Sequence, residues 1–449
     1  MTQFHKTPFR GKVTFAVLAA AALLTACTEP DTILPGKREN IRSVISDADA
    51  GALSAETQDA SRAISLPAVQ NNSDWTQGTG SPDFRVSHPA LGTALQPVWS
   101  ANIGAGDGRK ERITADPVVA GGLIYTLDAQ TLVTATSTNG DTVWRSDVSS
   151  DNDDAGAATG GGLTYKDGRL FVSLGYGALV ALDAKTGAEI WHQDLEGTGS
   201  GRPAAFGDLV YATSGDDTGW ALRAEDGRIE WQLSASPDIN NILGGPAPAI
   251  SGDLAVFAFG SGEVQAVFRR GGLRRWDASA LGQRFARALG TVGDVTGAPV
   301  IAGNRVYVGN QSGRIVALNL GSGAREWTAR EGAVGPALPV GDSLFVLSDL
   351  GELLRINAAD GTRVWGTPLP NFVKKRPRRR AEIFAHHGPI LAGGRIYVAS
   401  NDGELRAFDP ASGALLSTVD IPGGATTAPV VAGGVLYVVS SKGQLHAFR

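Results

Sequence analysis

The 449-residue sequence predicts an all-β protein, an eight-bladed β-propeller of four-stranded antiparallel blades. Two repeated features support this fold class. An aromatic residue recurs inside short alternating apolar runs, and a turn glycine recurs four residues before a tryptophan. A third feature concerns the chain ends. The last repeat, which ends at Arg449, lacks its tryptophan strand, whereas a surplus copy of that strand precedes the first repeat.

The repeated unit is visible when two stretches are aligned, GRLFVSLGYGALVALDAKTGAEIW (168–191) and NRVYVGNQSGRIVALNLGSGAREW (304–327). The aromatic position is filled by Tyr125, Phe171, Tyr211, Phe257, Tyr307, Phe345, Tyr397 and Tyr437. The glycine and tryptophan pairs are Gly140/Trp144, Gly187/Trp191, Gly227/Trp231, Gly272/Trp276, Gly323/Trp327 and Gly361/Trp365, and in the seventh copy Gly413 is followed by Ser417. The glycines indicate hairpin turns, and the tryptophans are expected to pack one blade against the next.

The chain ends distinguish a closed propeller from an open solenoid. The stretch PVWSANIG (97–104), which contains Trp99, matches the strand that the last unit lacks. We therefore expect this N-terminal strand to complete the last blade, which closes the ring and removes a free sheet edge. The predicted propeller spans residues 93–449, with seven contiguous blades and one shared blade.

Composition excludes several classes of function. The formal net charge is −5 without a sustained basic face, so nucleic acid is not an expected partner. A single cysteine excludes a disulfide framework and a cysteine-based zinc cluster. The chain has neither an HExxH zinc motif nor a Walker A lysine, and we predict no catalytic residue, metal site or cofactor.

The cysteine lies at the end of an N-terminal export signal. Three basic residues precede the apolar run VTFAVLAAAALLTA (13–26), which is shorter than the ~20 residues of a membrane-spanning helix. The run ends in LTAC, which resembles the bacterial lipobox and implies acylation of Cys27 and removal of residues 1–26. Thr28, which stands where an aspartate would signal retention in the inner membrane, implies the outer membrane. The alternative is an unmodified cysteine in a signal peptide.

Between the signal and the propeller lies a predicted tether. Residues 27–92 are rich in Asp, Ser, Ala, Asn and Pro and show little periodicity, so we predict a linker that is partly disordered. The stretch 64–75 is more apolar, and Trp75 is expected to dock on the folded body.

The repeat resembles that of quinoprotein (PQQ-like) propellers over roughly residues 95–449, a likeness specific for fold but not for chemistry. Quinoprotein dehydrogenases of this fold bind PQQ and calcium, whereas the BamB family binds neither and serves the outer-membrane β-barrel assembly (BAM) machinery. The lipobox, the near-minimal blades and the lack of a propeller cysteine are similar to BamB. The resemblance implies a non-enzymatic scaffold lipoprotein, lipid-anchored in the outer membrane and facing the periplasm.

That resemblance also implies partners, namely the POTRA region of BamA, other BAM subunits and unfolded outer-membrane protein clients. The alternative is a lipid-anchored PQQ-dependent dehydrogenase or a ligand-binding propeller. In the BamB family the loops before the fourth and fifth blades contact BamA. The matching residues here are Ile242, Leu243, Asp294 and Thr296. Leu243 replaces the arginine of the family pattern and Thr296 its second aspartate, and ordinary inter-blade loops remain the alternative.

One basic cluster interrupts the acidic chain, in VKKRPRRRAEIF (373–384) between the sixth and seventh units. Its cations are Lys374, Lys375, Arg376, Arg378, Arg379 and Arg380. They predict contact with an acidic partner surface or with anionic lipid headgroups, or else a solvated surface loop.

Overall fold

The computed structural model describes residues 59–149, 160–195, 197, 201–237, 246–282 and 295–449. These residues form eight four-stranded antiparallel sheets, which confirms the predicted eight-bladed propeller. Residues 57–449 constitute one compact unit. Within the described ranges the one helix is a single 3-10 turn, Pro377–Arg379, and no helix there is long and apolar enough to cross a bilayer.

The first four blades follow chain order, four strands to a blade. Their strands are β2 (Val118–Ala120), β3 (Leu123–Leu127), β4 (Leu132–Ser137) and β5 (Thr142–Asp147); β6 (Gly161–Lys166), β7 (Arg169–Leu174), β8 (Ala178–Asp183) and β9 (Glu189–Asp194); β10 (Ala204–Phe206), β11 (Leu209–Thr213), β12 (Thr218–Arg223) and β13 (Ile229–Ser234); β14 (Ala249–Ser251), β15 (Leu254–Ala258), β16 (Glu263–Phe268) and β17 (Arg274–Ser279).

Blades 5 to 8 continue the pattern, and the last one takes its outer strand from the start of the propeller. Their strands are β18 (Gly297–Ala302), β19 (Arg305–Asn310), β20 (Arg314–Asn319) and β21 (Arg325–Ala329); β22 (Leu338–Val340), β23 (Ser343–Leu347), β24 (Glu352–Asn357) and β25 (Arg363–Pro368); β26 (His386–Ala392), β27 (Arg395–Ser400), β28 (Glu404–Phe408) and β29 (Leu415–Asp420); β30 (Val430–Ala432), β31 (Val435–Ser440), β32 (Gln444–Phe448) and β1 (Pro97–Asn102).

The ring closes as the sequence predicts. Strand β1 pairs antiparallel with β32, and Trp99 lies opposite Ala447. Beyond the ladder, Gln96 and Arg449 exchange two backbone hydrogen bonds of 2.8 and 2.9 Å. The two ends of the propeller therefore lie side by side in blade 8, and β32 has a paired strand on both sides.

Burial explains why each blade adopts this strand order. The two middle strands are almost wholly buried, as in β7 and β8, because blades cover both of their faces. The outermost strand is mostly exposed, and in β9 the buried residue is Trp191. Each of the seven repeated tryptophans lies against the turn glycine of the following blade. A side-chain carbon at Gly187 would come within 2.5 Å of the Trp144 ring, so only glycine fits there.

In six blades the repeated aromatic residue pairs with an alanine of the next strand, as Tyr125 does with Ala135. Two blades depart from this pairing. In blade 4 the residue opposite the corresponding Ala266 is Val256, so the assignment of Phe257 to the aromatic position was wrong by one residue. A one-residue offset turns a side chain to the other face of the sheet, and Phe257 packs there near Tyr211 and Trp231. In blade 6 the alanine position is taken by Arg355, which is fully buried.

Residues 59–92, which fall in the stretch assigned to the tether, lie against the blades, and we refer to them as the strap. Its Trp75 is 5% exposed and exchanges two backbone hydrogen bonds, of 2.7 and 2.9 Å, with Val119 of blade 1. Hydrogen bonds join the strap to at least one residue in each blade, for example Val119, Tyr165, Ala205, Ile250, Ile301, Val364, Gly393 and Gly433 in blades 1 to 8.

Candidate functional site

The two ends of the propeller differ because strand direction alternates within each blade. One end, the hairpin face, has the turns between first and second and between third and fourth strands. The other end, the connection face, has the middle turns and the connections to the next blade. The predicted partner loops and the basic cluster belong to the connections β13–β14, β17–β18 and β25–β26, so strands adjoining all three end on the connection face.

Of the four predicted partner-binding residues, Ile242, Leu243 and Asp294 lie outside the described residues, as does the predicted lipidation site Cys27. Thr296 is described, half-buried, and next to the buried Val295. Its hydroxyl donates a 2.8 Å hydrogen bond to the carbonyl of Ala333 in the connection between blades 5 and 6. This internal hydrogen bond occupies the Thr296 hydroxyl, so a partner protein would contact the remainder of the Thr296 side chain.

A central cavity of about 300 Å³ lies where the innermost strands begin. Glycine, alanine and proline form most of its wall. The repeated prolines Pro203, Pro248, Pro336, Pro389 and Pro429 all line it. Proline has no backbone N–H to donate, so it suits a strand start whose outer side faces an open channel. These five prolines therefore mark part of the channel wall.

Charged side chains in this cavity are neutralised within the protein. Asp116 of blade 1 forms an ion pair with Arg202 of blade 3 and accepts a 2.7 Å hydrogen bond from the backbone N–H of Ala428. Burial lowers the pKa of His387 to about 4, and it also lowers the pKa of His386. Both imidazoles are therefore neutral at pH 7, and His386 Nδ1 lies 2.6 Å from Ser400 Oγ.

The lining does not fit a quinone cofactor with three carboxylates and a calcium ion. Among the described lining residues Arg202 is the one arginine, already paired with Asp116, and there is no lysine. Hard cations such as calcium need several oxygen ligands, and the described ranges contain no group of three His, Cys, Asp or Glu side chains placed to hold a metal ion.

The strap covers the cavity from the hairpin face. Residues 75 and 77–81 are part of the lining, and the side chain of Gln77 forms two hydrogen bonds, 2.8 and 2.9 Å, with the backbone of Ala205. Ser81 accepts a 2.8 Å hydrogen bond from the N–H of Ile250. A molecule that reached the channel would therefore have to enter from the connection face.

The basic cluster forms the end of a protruding hairpin, residues 371–384, which we call the basic hairpin. Phe372 and Ile383 form an antiparallel bridge, and the N–H of Phe384 donates a 2.7 Å hydrogen bond to Asn371. All six cations are exposed. The guanidinium of Arg380 lies 4.8 Å from the centre of the Phe372 ring.

Sequence reasoning missed the strap and the apolar base of the basic hairpin. The strap bonds mainly through backbone groups, which leave no periodic pattern, and the apolar stretch ending at Trp75 was its one visible signal. In the hairpin, Phe372, Val373 and Ile383 are 38%, 42% and 60% exposed. These residues flank the cations in the sequence, but their exposure depends on the bridge that the structure shows.

Comparison with known proteins gives consistent results. The model of a family described as "Outer membrane protein assembly factor BamB" matches residues 129–367 and 374–449. A protein of that name from Shewanella oneidensis is 24% identical over 332 residues, which cover 72% of this chain and 80% of that protein. The one from Yersinia pestis is 24% identical over 273 residues, or 60% and 69% of the two chains.

A solved structure is also similar. The crystal structure of BamB from Moraxella catarrhalis superposes with a TM-score of 0.62 at 19% identity, covering 80% of this chain and 98% of that one. At that identity the likeness establishes a shared fold and nothing about chemistry.

Proposed function

This chain belongs to the BamB family of outer membrane protein assembly factors, and we propose that it is a non-enzymatic scaffold lipoprotein of the BAM complex. The observation on which the proposal rests is the family match, which spans most of the propeller, from residue 129 to Arg449 with one short gap. The gap, residues 368–373, falls at the start of the basic hairpin, so the hairpin adjoins the one interruption in the family pattern.

The proposed location is the periplasmic face of the outer membrane, with Cys27 as the lipid anchor. Two or more acyl chains at ~0.8 kcal/mol per buried methylene hold a protein stably on a bilayer. Labelling with a palmitate analogue tests this directly. The wild-type chain is expected to take up label and to sediment with outer membranes, whereas Cys27→Ala is expected to do neither.

The proposed partner is the POTRA region of BamA, bound through the connection face near Ile242, Leu243, Asp294 and Thr296. Two points support this face. The strap occupies the hairpin face and bonds to all eight blades, which leaves the connection face as the end with more free surface. The departures at Leu243 and Thr296 favour an interface with an apolar centre and fewer charged contacts than the family pattern.

Binding of the chain from Thr28 onward to the purified POTRA region of BamA from the same organism tests partner and site. Leu243→Glu and Asp294→Arg are expected to weaken binding by about 10-fold or more, as for substitutions at an interface centre. Leu273→Glu is the matched control, because Leu273 is 69% exposed in a turn of the hairpin face. Equal binding by all variants would discard the site, and no binding at high concentration would overturn the partner.

The assistance to clients is proposed to be one of positioning rather than catalysis. Enzymatic oxidation has no support in the cavity, where the lining does not fit the quinone. Dye-linked alcohol or sugar oxidation with added PQQ and calcium is therefore expected to be absent, and its presence would overturn the non-enzymatic assignment.

A further inference from the structure

The basic hairpin is an ordered protrusion. Its two sides are joined by the Phe372–Ile383 bridge and by a 3.1 Å hydrogen bond from the N–H of Val373 to Glu382. Its end is turned by the 3-10 helix Pro377–Arg379, and the N–H of Arg379 donates a 2.9 Å hydrogen bond to Arg376. The hairpin therefore presents its side chains from a defined backbone.

The positive charge of this hairpin is not balanced within the described part of the chain. None of its six cations forms an ion pair with a described carboxylate, and the nearest acid in sequence is Glu382. Arginines elsewhere behave differently, since Arg223, Arg363 and Arg406 each pair with at least one carboxylate. Six unbalanced cations among seven consecutive residues create a strong local field in a protein of net negative charge.

Exposed apolar side chains lie directly beside these cations. Phe372, Val373 and Ile383 are exposed by more than a third, and the guanidinium of Arg380 lies over the Phe372 ring. Cations combined with exposed aromatic and aliphatic side chains are typical of surfaces that enter the headgroup region of a bilayer. A purely electrostatic contact with an acidic surface would need only the cations, whereas insertion among lipid headgroups uses the apolar side chains as well.

The position of the hairpin agrees with a membrane contact. The first described residues of the chain lie along β25, where Ala60 donates a 3.0 Å hydrogen bond to Val364 and Asp59 pairs with Arg363. The hairpin starts three residues after β25 ends at Pro368. The proposed lipid anchor at Cys27 precedes Asp59 in the chain, so the membrane-anchored part of the chain would join the propeller at blade 6, next to the hairpin.

We propose that the basic hairpin is a second membrane contact, which binds anionic phospholipid headgroups through its cations and inserts Phe372, Val373 and Ile383 among them. The contact would fix the orientation of the propeller above the membrane, which attachment at a single lipidated residue does not do. The inference goes beyond the assembly role and uses the proposed lipid anchor only in the argument from position.

The test is sedimentation of the unlipidated chain, from Thr28 onward, with vesicles of phosphatidylcholine alone or with about one third phosphatidylglycerol. This chain retains the compact unit 57–449 and contains no anchor. Binding is expected to the anionic vesicles only and to weaken with salt. The triple variant Arg376→Ala, Arg378→Ala and Arg379→Ala is expected to bind on the order of 100-fold more weakly.

A matched triple variant controls for net charge. Lys185→Ala, Arg228→Ala and Arg274→Ala remove three exposed cations in or directly beside the hairpin-face turns of blades 2 to 4, and the variant is expected to bind like the wild type. A second variant, Val373→Ser with Ile383→Ser, keeps every cation and changes two exposed side chains, so folding is not at risk. It is expected to bind about 10-fold more weakly, because less apolar surface enters the bilayer.

Three outcomes would overturn the inference: equal binding to neutral and anionic vesicles, equal loss in the two triple variants, or hairpin-dependent binding to the POTRA region without binding to vesicles. The vesicle assay contains neither BamA nor a lipidated form of this chain. Its failure would therefore leave the assembly role intact, and failure of the POTRA experiment would leave the lipid contact intact.

Discussion

At the scale of single residues, the propeller is held by a repeated contact between an indole ring and a glycine. The glycines have positive φ, such as 75° at Gly227, and a side chain there would collide with the tryptophan of the preceding blade. The indole Nε1 of Trp191 in blade 2 donates a 3.1 Å hydrogen bond to the carbonyl of Ala224 in blade 3. Six of the seven repeated tryptophans thus contribute both apolar contact and a hydrogen bond across a blade boundary.

Removing one such ring is expected to destabilise the whole propeller. Trp191→Ala should lower the free energy of unfolding by about 3–5 kcal/mol, because it leaves a cavity between blades 2 and 3 and an unpaired carbonyl at Ala224. Urea denaturation measures the change. Ile190→Ala, at the exposed neighbouring position, serves as the control and should cost less than about 1 kcal/mol. A loss for Trp191→Ala as small as that of the control would contradict the packing role.

The pH dependence of stability is expected to report on the channel. Burial holds the folded pKa of His387 near 4, below the unfolded value of 6.5, although Asp116 opposes this shift. Between these values the unfolded chain binds a proton that the folded chain does not, so stability falls as pH drops from 6.5 to 4. The contribution is at most about 3 kcal/mol. Chemical denaturation of His387→Asn should show a shallower decline over this window, and an unchanged profile would contradict the buried position.

At the scale of elements, the strands and their closure could be predicted because blade packing imposes the same alternation on every copy. The β1–β32 pairing followed from the missing tryptophan strand at the C-terminus. Phe257 could not be assigned correctly, since Val256 and Phe257 are both apolar and only register distinguishes their faces. The burial of Arg355 could not be predicted for a different reason, because the carbonyl groups that pair with its guanidinium belong to residues far away in sequence.

Arg355 is expected to hold the first part of the strap. Its guanidinium donates hydrogen bonds to the carbonyls of Arg62 and Ala63 and also to Pro410. In other blades the residue at the position of Pro410 accepts a hydrogen bond from the indole of the preceding blade, as Ala358 does from Trp327. Here the carbonyl of Pro410 bonds to Arg355 instead, and the Nε1 of Trp365 has no partner among the described residues. Arg355→Ala restores the residue found in the other blades, so the propeller itself should remain folded.

Hydrogen exchange measures the release of the strap in that variant. The amides of Ala60 and Arg62, which bond to Val364 and Ala411, should exchange about 10-fold faster or more. The amide of Trp75, bonded to blade 1, is the internal control and should keep its protection. Unchanged exchange at Ala60 and Arg62 would show that Arg355 is not what holds this segment.

At the scale of the whole molecule, two devices join the blades into one body, the β1–β32 closure and the strap that bonds to every blade. The segment just beyond the strap lies at the position of the one missing tryptophan. At Ser417 no ring reaches the next blade, and Leu95, just beyond the strap, is buried in the same cluster as Tyr397. Arg395 donates a 2.9 Å hydrogen bond to Thr93 at the same seam.

Removing the strap is therefore expected to lower the stability of the propeller, although the β1–β32 pairing still closes the ring. A chain of residues 93–449, which starts at the predicted propeller boundary, should lose at least about 3 kcal/mol relative to residues 57–449, because Trp75 alone is a fully packed indole. Thermal unfolding followed by circular dichroism measures the loss. Equal stability of the two chains would support the boundary at residue 93 and contradict a structural role for the strap.

The candidate site was accessible to sequence reasoning only in part. The repeat pattern predicted where the connections between blades lie in the sequence, and the basic cluster was recognisable as a run of positively charged residues. The contacts of Thr296 with Ala333 and the apolar base of the basic hairpin depend on how connections fold over neighbouring blades, which no local pattern encodes. Function at this scale rests on family membership together with the proposed anchor at Cys27.

The proposed role of this chain in the assembly of outer-membrane β-barrels is tested most directly by the yield of folded barrel proteins in a deletion strain. Outer membranes from the deletion, from a strain complemented with the wild type and from one complemented with Leu243→Glu would be compared by heat-dependent electrophoretic mobility. We expect less folded barrel protein in the deletion, full recovery with the wild type and incomplete recovery with the variant. Unchanged yield and composition in the deletion strain would contradict it.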